Sequence, residues 1–260
     1  MDFGIYVEFY SDKKIDEIAK DKIVKGKLVF PREIVVGAKS LNEFYKYEKK
    51  IKNKIHKDVI VRYWPILKKE EGYWISFKAK TKALERIFNE LKKRKNKNKF
   101  YLMIDFEDPI QKVGYDFEKN KRLIKDIFDK KSEYKLDISV VETSPFNVVE
   151  RHLENEIGLN NYDIEQVKMY YSSFVRKYKF FLLNWISSFV LNKEIKRGLK
   201  KDRNYVIALG CLEVGILGDE PLMTEKNLRE DLSLVKKNGL KKVMLFGYQN
   251  RYKEVLKEFI

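Results

Sequence analysis

The ten residues Phe100-Tyr-Leu-Met-Ile-Asp-Phe-Glu-Asp-Pro109 form an apolar run that breaks off in three carboxylates. Side chains alternate between the faces of a strand, so Tyr101, Met103, Asp105 and Glu107 share one face and Leu102, Ile104 and Phe106 the other. If the apolar face lies under helices, the mixed face looks into a barrel or crevice. Two carboxyls about 6 to 7 Å apart at their Cα atoms then shift each other's pKa. One residue type thereby supplies both an acid and a base.

Apolar, β-branched and aromatic runs recur along the chain, each followed by a charged stretch with helical spacing. Eight strands are expected: Phe3 to Phe9, Glu33 to Ala38, Val59 to Pro65, Phe100 to Glu107, Leu136 to Glu142, Val167 to Ser172, Tyr205 to Val214 and Lys242 to Gly247. A short helix near Asp12 to Lys20 is followed by helices at Ser40 to Lys52, Thr81 to Lys95, Lys119 to Lys130, Val148 to Glu156, Tyr178 to Lys200, Thr224 to Lys237 and Tyr252 to Phe259. Ser40-Leu-Asn-Glu43 fits a capping box, Thr224 stands before an acidic first turn, and Asn238-Gly239 fits a left-handed stop. Strict alternation implies a parallel sheet, and eight repeats in 260 residues match a single (β/α)8 TIM-type barrel spanning 1–260. An open doubly wound sheet more often carries a glycine-rich turn after its first strand, where this chain reads Phe9-Tyr-Ser-Asp-Lys13.

Active sites of such barrels gather at the C-terminal strand ends. Those ends carry Glu8 and Tyr10; Arg62, Tyr63 and Trp64; Asp105, Glu107 and Asp108; Glu142; Tyr170 and Tyr171; Glu213, with Asp219 and Glu220 beyond it; and Tyr248 and Gln249. Trp74 follows the third strand in Glu71-Gly-Tyr-Trp-Ile-Ser76. Carboxylates and aromatics at one rim suit a carbohydrate. Sugar rings stack on Trp and Tyr, hydroxyls bond to charged and amide groups, and glycosidic cleavage needs two carboxyls in different protonation states. Neither a metal nor an organic cofactor is required.

Other chemistries find little support. His56 and His152 are the only histidines, which disfavours a His-ligated metal centre, a Ser-His-Asp triad or a Cys-His dyad. No phosphate-binding G-x-x-x-x-G-K-[ST] loop occurs. Cys211 has no partner for an intrachain disulfide, which fits a reducing compartment. The opening Phe3-Gly-Ile-Tyr-Val-Glu-Phe9 does not read as a signal peptide, so a cytoplasmic location is expected. The run from Phe180 to Leu191 is interrupted and shorter than the roughly 20 residues of a membrane span. The net charge of +16 raises nucleic acid as a partner, but the lysines are spread along the chain. The dense run Lys92 to Lys99 reads as a solvated loop. Abundant Lys and Glu resemble heat-adapted composition.

Asp105-Phe-Glu107 on the fourth strand resembles the D-x-E of family 18 chitinases and family 25 lysozymes. Two further acidic positions of the chitinase pattern are Met103 and Phe100 here, and Glu8 stands where the lysozymes use an Asp. The resemblance implies Glu107 as general acid, with Asp105 orienting an acetamido group or stabilising a developing cation. A second resemblance, to barrel glycosidases with a Glu after strand four and another at strand seven, implies Glu213 as nucleophile beside Glu107. Glycoside hydrolysis is therefore expected, with Glu107, Asp105 and Glu213 catalytic and Glu8, Arg62, Trp64, Trp74, Glu142, Tyr170 and Tyr248 lining an open sugar groove. Two alternatives stand beside it: a lyase or isomerase holding Mg²⁺ through Asp105, Glu107 and Glu142, and a non-catalytic barrel binding sugar or polyanion.

Overall fold

The computed structural model describes residues 1–260 apart from 21–22, 25–26, 29–30, 95–97, 108, 110, 144–152, 154, 171–172, 174–180, 203–204, 217 and 260, and apart from the side chains of 23–24, 27–28, 142–143 and 181–185. The elements run β1 (Asp2–Val7), α1 (Asp12–Lys20), β2 (Ile23–Val24), β3 (Lys27–Leu28), β4 (Glu33–Ala38), α2 (Leu41–Lys54), β5 (Ile60–Pro65), α3 (Thr81–Lys92) and β6 (Phe100–Asp105). They continue with α4 (Phe117–Asp129), β7 (Leu136–Thr143), β8 (Glu165–Tyr170), α5 (Phe181–Lys201), β9 (Val206–Leu209), α6 (Glu225–Lys237), β10 (Lys242–Phe246) and α7 (Lys253–Phe259). Eight strands close into a parallel barrel in the order β1-β10-β9-β8-β7-β6-β5-β4, the expected (β/α)8 architecture. The antiparallel ribbon β2-β3 stands apart and was not expected from the sequence. Two compact units make up the chain: Met1–Val36, Lys49–Val61 and Val167–Ile260 in the first, Gly37–Glu48 and Arg62–Gln166 in the second.

Parallel barrel strands are covered on both faces, which explains why β1 and β4 read as nearly unbroken apolar runs and are buried almost throughout. Contacts fix which face is which. Phe106 lies against Phe77 and against Phe128 of α4, and Tyr63 packs on Phe44 of α2, so Leu102 and Ile104 lie toward the helices while Met103 and Asp105 look into the barrel. The expected facing of Asp105 is thereby confirmed. In the first unit Tyr170 reaches α5 through Ser187, which turns its register partner Leu209 toward the helices and Ala208, Met244, Gly4 and Tyr6 inward.

The expected caps form, except that the return bond of the Ser40 capping box goes to Lys39 instead of Ser40. Ser40 Oγ accepts the Glu43 N–H at 3.2 Å, while the Glu43 carboxylate accepts the N–H of Lys39. Thr224 Oγ1 accepts the Asn227 N–H at 3.1 Å, and Gly239 takes φ +76° just beyond α6. One boundary differs. The run expected as a strand from Tyr205 to Val214 stops at Leu209, ahead of a cis Gly210–Cys211 peptide. The apolar pattern runs on through Cys211 and Leu212 because both are buried in the connection that follows. Among the described residues, no helix is long and apolar enough to cross a membrane.

Candidate carboxylate site

In the first unit the polar groups collect where β1, β9 and β10 end. Glu8 follows β1 on the barrel-facing side set by Gly4 and Tyr6, and it is buried. Glu220, in the connection from β9 to α6, is buried too. The two converge on Gly215. Glu8 Oε2 and Glu220 Oε1 lie 2.7 and 2.8 Å from the point a Cβ on Gly215 would occupy, so the two oxygens are at most about 5.5 Å apart. Only a residue without a side chain leaves both carboxylates that position. Cys211 senses the same pair. Burial first, then the carboxylates of Glu220 and Glu8, push its thiol up to about 12 against an opposing hydrogen bond with Ser173.

Beside this pair lies a shallow pocket formed by Tyr6, Glu8, Phe9, Lys14, Glu213, Val214, Phe246 and Gly247, with room at its centre for about one water-sized group. Lys14 and Glu213 face each other across it, Nζ to Oε1 at 2.5 Å. Lys14 is held in the first turn of α1, whose N-terminus is capped by Ser11 Oγ accepting the Lys14 N–H at 3.2 Å. Glu213 reaches the pocket through the connection after β9, not by strand alternation. Leu212 donates to the Phe246 carbonyl, and Gly247 leaves space for the Glu213 Cβ, 2.4 Å from where its own would stand. Phe9 and Val214, 46% and 40% exposed, give the pocket an apolar rim.

The second unit carries the D-x-E. Asp105 ends β6 inside the barrel and is buried, and Glu107 lies beyond the strand, half-buried. Between them Phe106 bridges in parallel to Ile75, in the connection from β5 to α3. Glu71 organises that connection. Its carboxylate accepts two bonds from Arg86, both 2.8 Å, and the Lys68 N–H at 3.1 Å, and Arg86 above all holds the carboxyl down to about 2.

Several expected ligands serve other purposes. Arg62 does not present itself at the strand ends. It is buried toward their starts, pairing with Asp137 at 3.0 Å and donating to the carbonyls of Asp137 and Leu102. Its position third in β5 aims it at the second residue of β7. Burial pulls the Asp137 carboxyl upward, but Lys99 and Arg62 outweigh it and keep it below the ordinary range. Tyr170 donates to the Ser187 carbonyl at 2.7 Å and belongs to the helix side of β8. Trp64, Trp74, Tyr170 and Tyr248 are 2, 9, 3 and 5% exposed, so none of them offers an open face to a sugar. The side chain of Glu142 and all of Asp108, His152 and Tyr171 lie outside the described residues. Among the described residues no three His, Cys, Asp or Glu side chains are grouped to hold a metal.

Sequence reasoning noted Glu220 without assigning it a role, and it missed Gly215, Lys14 and Phe9. A signal was present. Gly215-Ile-Leu-Gly-Asp-Glu-Pro221 sets two carboxylates among glycines and a proline just past a strand, the composition of a tight, functional loop.

No family model and no curated protein matches the chain. Solved structures that align over most of it include a D-psicose 3-epimerase from Clostridium cellulolyticum with D-tagatose, at 11% identity over 98% of this chain and 89% of that one, with a TM-score of 0.45. A xylose isomerase domain containing protein from Salmonella typhimurium aligns at 9% identity over 99% and 93%, TM-score 0.48. ZgEngAGH5_4 in complex with a cellotriose aligns at 13% over 96% and 87%, TM-score 0.48. With these scores below 0.5, the barrel assignment rests on the strand order itself.

Proposed function

We propose that the protein is an acid–base enzyme acting on a carbohydrate, that Glu8 and Glu220 are its working carboxylates, and that it cleaves a glycosidic bond. The observation that carries this reading is their convergence on Gly215. The upper limit of about 5.5 Å between Glu8 Oε2 and Glu220 Oε1 is compatible with the roughly 5 to 5.5 Å at which one carboxyl attacks the anomeric carbon directly while the other protonates the leaving oxygen. A separation of about 6.5 to 9.5 Å would instead leave room for an attacking water. Retention of configuration is therefore the expected outcome. Phe9 offers an apolar face for a sugar ring, and the Lys14–Glu213 pair offers a donor and an acceptor to hydroxyls at the same pocket.

A second reading keeps the expected Asp105 and Glu107 as the acid machinery, favoured by the buried, barrel-facing Asp105 at the end of β6. One experiment separates the two. Aryl glycosides and soluble polysaccharides are assayed with wild type, Glu8→Gln, Glu220→Gln and Glu107→Gln, and the product anomer is read by NMR. The first reading predicts a loss of at least about 10³-fold in kcat for both Glu8→Gln and Glu220→Gln, by analogy with removal of essential catalytic groups. Full turnover in those two variants, with loss confined to Glu107→Gln, transfers the assignment to Asp105 and Glu107. Free aldoses and ketoses in D₂O belong in the same panel. Loss of a carbon-bound proton to one carboxylate and return of a deuteron from solvent, a C–H bond broken and a C–D bond formed, would make the carboxylates an isomerase or epimerase pair.

A further inference from the structure

We propose that Tyr252 is a positioning residue for Glu220, an inference that rests on the reading of Glu220 as a working carboxylate. Glu220 lies in the long connection between β9 and α6, where no ladder holds the backbone, so its place depends on how the two ends are tied. The ends are tied to each other, the Met223 N–H donating to the Cys211 carbonyl at 2.8 Å. The entry is fixed again by the Cys211 N–H on Ser173 Oγ at 3.0 Å and by the Leu212 N–H on the Phe246 carbonyl at 2.9 Å. At the exit, the Met223 carbonyl accepts the hydroxyl of Tyr252 at 2.6 Å.

Tyr252 is suited to hold it. The side chain is fully buried just ahead of α7, and the Arg251 guanidinium lies 4.7 Å from its ring centroid and donates to its oxygen at 2.5 Å. With Arg251 donating to it, the phenol's single proton is directed at Met223, three residues from Glu220. Tyr252→Phe removes this bond from the buried Met223 carbonyl, which loosens the exit of the connection and lets it shift. Displacements of about 1 Å at a reacting group lower turnover by about 10²-fold.

The chain's single cysteine reports on the anchor without any substrate. Cys211 is fully buried at the entry of the same connection and feels the Glu220 charge. The experiment compares wild type, Tyr252→Phe and Leu256→Ala, the last removing a buried α7 side chain as a control for general destabilisation. Labelling of Cys211 by a small disulfide reagent is followed against pH, and kcat and KM are measured on the best glycoside. Expected for Tyr252→Phe are labelling at least about 10-fold faster than wild type, a lower apparent thiol pKa, and kcat down about 10- to 100-fold with KM within about twofold. Leu256→Ala should leave labelling and kcat near wild type. Labelling unchanged in Tyr252→Phe, or changed equally in Leu256→Ala, overturns the anchor. If no sugar is turned over by wild type, the reading of Glu220 fails by that result, and the labelling data still decide whether Tyr252 holds the connection.

Discussion

Gly215 and Arg62 show how far a residue's role depends on its neighbours. A methyl group on Gly215 would meet two carboxylate oxygens at 2.7 and 2.8 Å, and both belong to the far ends of flexible side chains. The oxygens can yield at small cost to the fold, but the carboxylate pair is then spread. Gly215→Ala should keep a thermal midpoint within about 3 °C of wild type, since glycine-to-alanine changes at permitted backbone angles cost little. Turnover should fall by about 10²-fold. Full activity with an intact midpoint would mean that the convergence on Gly215 has no part in catalysis. Arg62 should show the opposite pattern. Arg62 is buried and donates to Asp137 and to the carbonyls of Asp137 and Leu102, while Lys99 stays paired with Asp137 at 2.8 Å when the arginine is removed. Arg62→Ala is expected to cost about 1 to 3 kcal/mol in urea denaturation, the scale of losing hydrogen bonds to buried groups. In the surviving folded protein, KM should be unchanged, because the side chain lies toward the strand starts.

Among the elements, the barrel strands were legible because burial on both faces writes them as apolar, β-branched runs, and the helices because their caps are local. Glu33–Ala38 and Asp12–Lys20 fall at the expected residues. Legibility fails where tertiary contact decides. Cys211 and Leu212 continue an apolar run that the backbone has already left. The facing of Glu213 cannot be counted from Leu209 across that break. Asp105 could be placed by alternation because β6 is unbroken. The meeting of Glu8 with Glu220 joins residues 212 positions apart and has no local signature. The connection from β5 to α3 adds a prediction at this scale. Glu71 is held down to about 2 by Arg86 and loses that stabilisation only on protonation. Its folded pKa lies below the unfolded value of about 4.3, so the contribution is complete above about pH 4.5 and is lost as pH falls toward 2. After discounting for the partly exposed Arg86, about 2 kcal/mol is at stake. Glu71→Gln should lower stability at pH 7 by that amount and flatten the acid limb of the stability curve between pH 4.5 and 2. An unchanged acid limb would remove Glu71 from this role.

At the level of the whole molecule, the excess of 55 basic over 39 acidic residues sets two electrostatic effects against each other. Local ion pairs favour the fold, and some are shared: Asp12 lies at 2.9 Å from Lys50 and 4.0 Å from Lys54, and Asp126 bridges Lys92 and Lys130 at 2.5 and 2.7 Å. Exposed pairs of this kind are worth only about 0 to 1 kcal/mol each. The net charge of +16 opposes them by self-repulsion over longer distances. Salt separates the two by range. Raising ionic strength from about 0.01 to 0.15 M shortens the Debye length from about 30 to 8 Å, which screens distant repulsion far more than contacts at 3 Å. The thermal midpoint should therefore rise by a few degrees over that interval in sodium chloride. A falling midpoint would show that the shared pairs outweigh the repulsion and that the Lys- and Glu-rich composition works as a stabilising network. The same titration bears on the polyanion alternative. Retention on immobilised RNA or heparin through scattered lysines should vanish by about 0.2 M salt, whereas a built nucleic-acid surface would hold its ligand well beyond it.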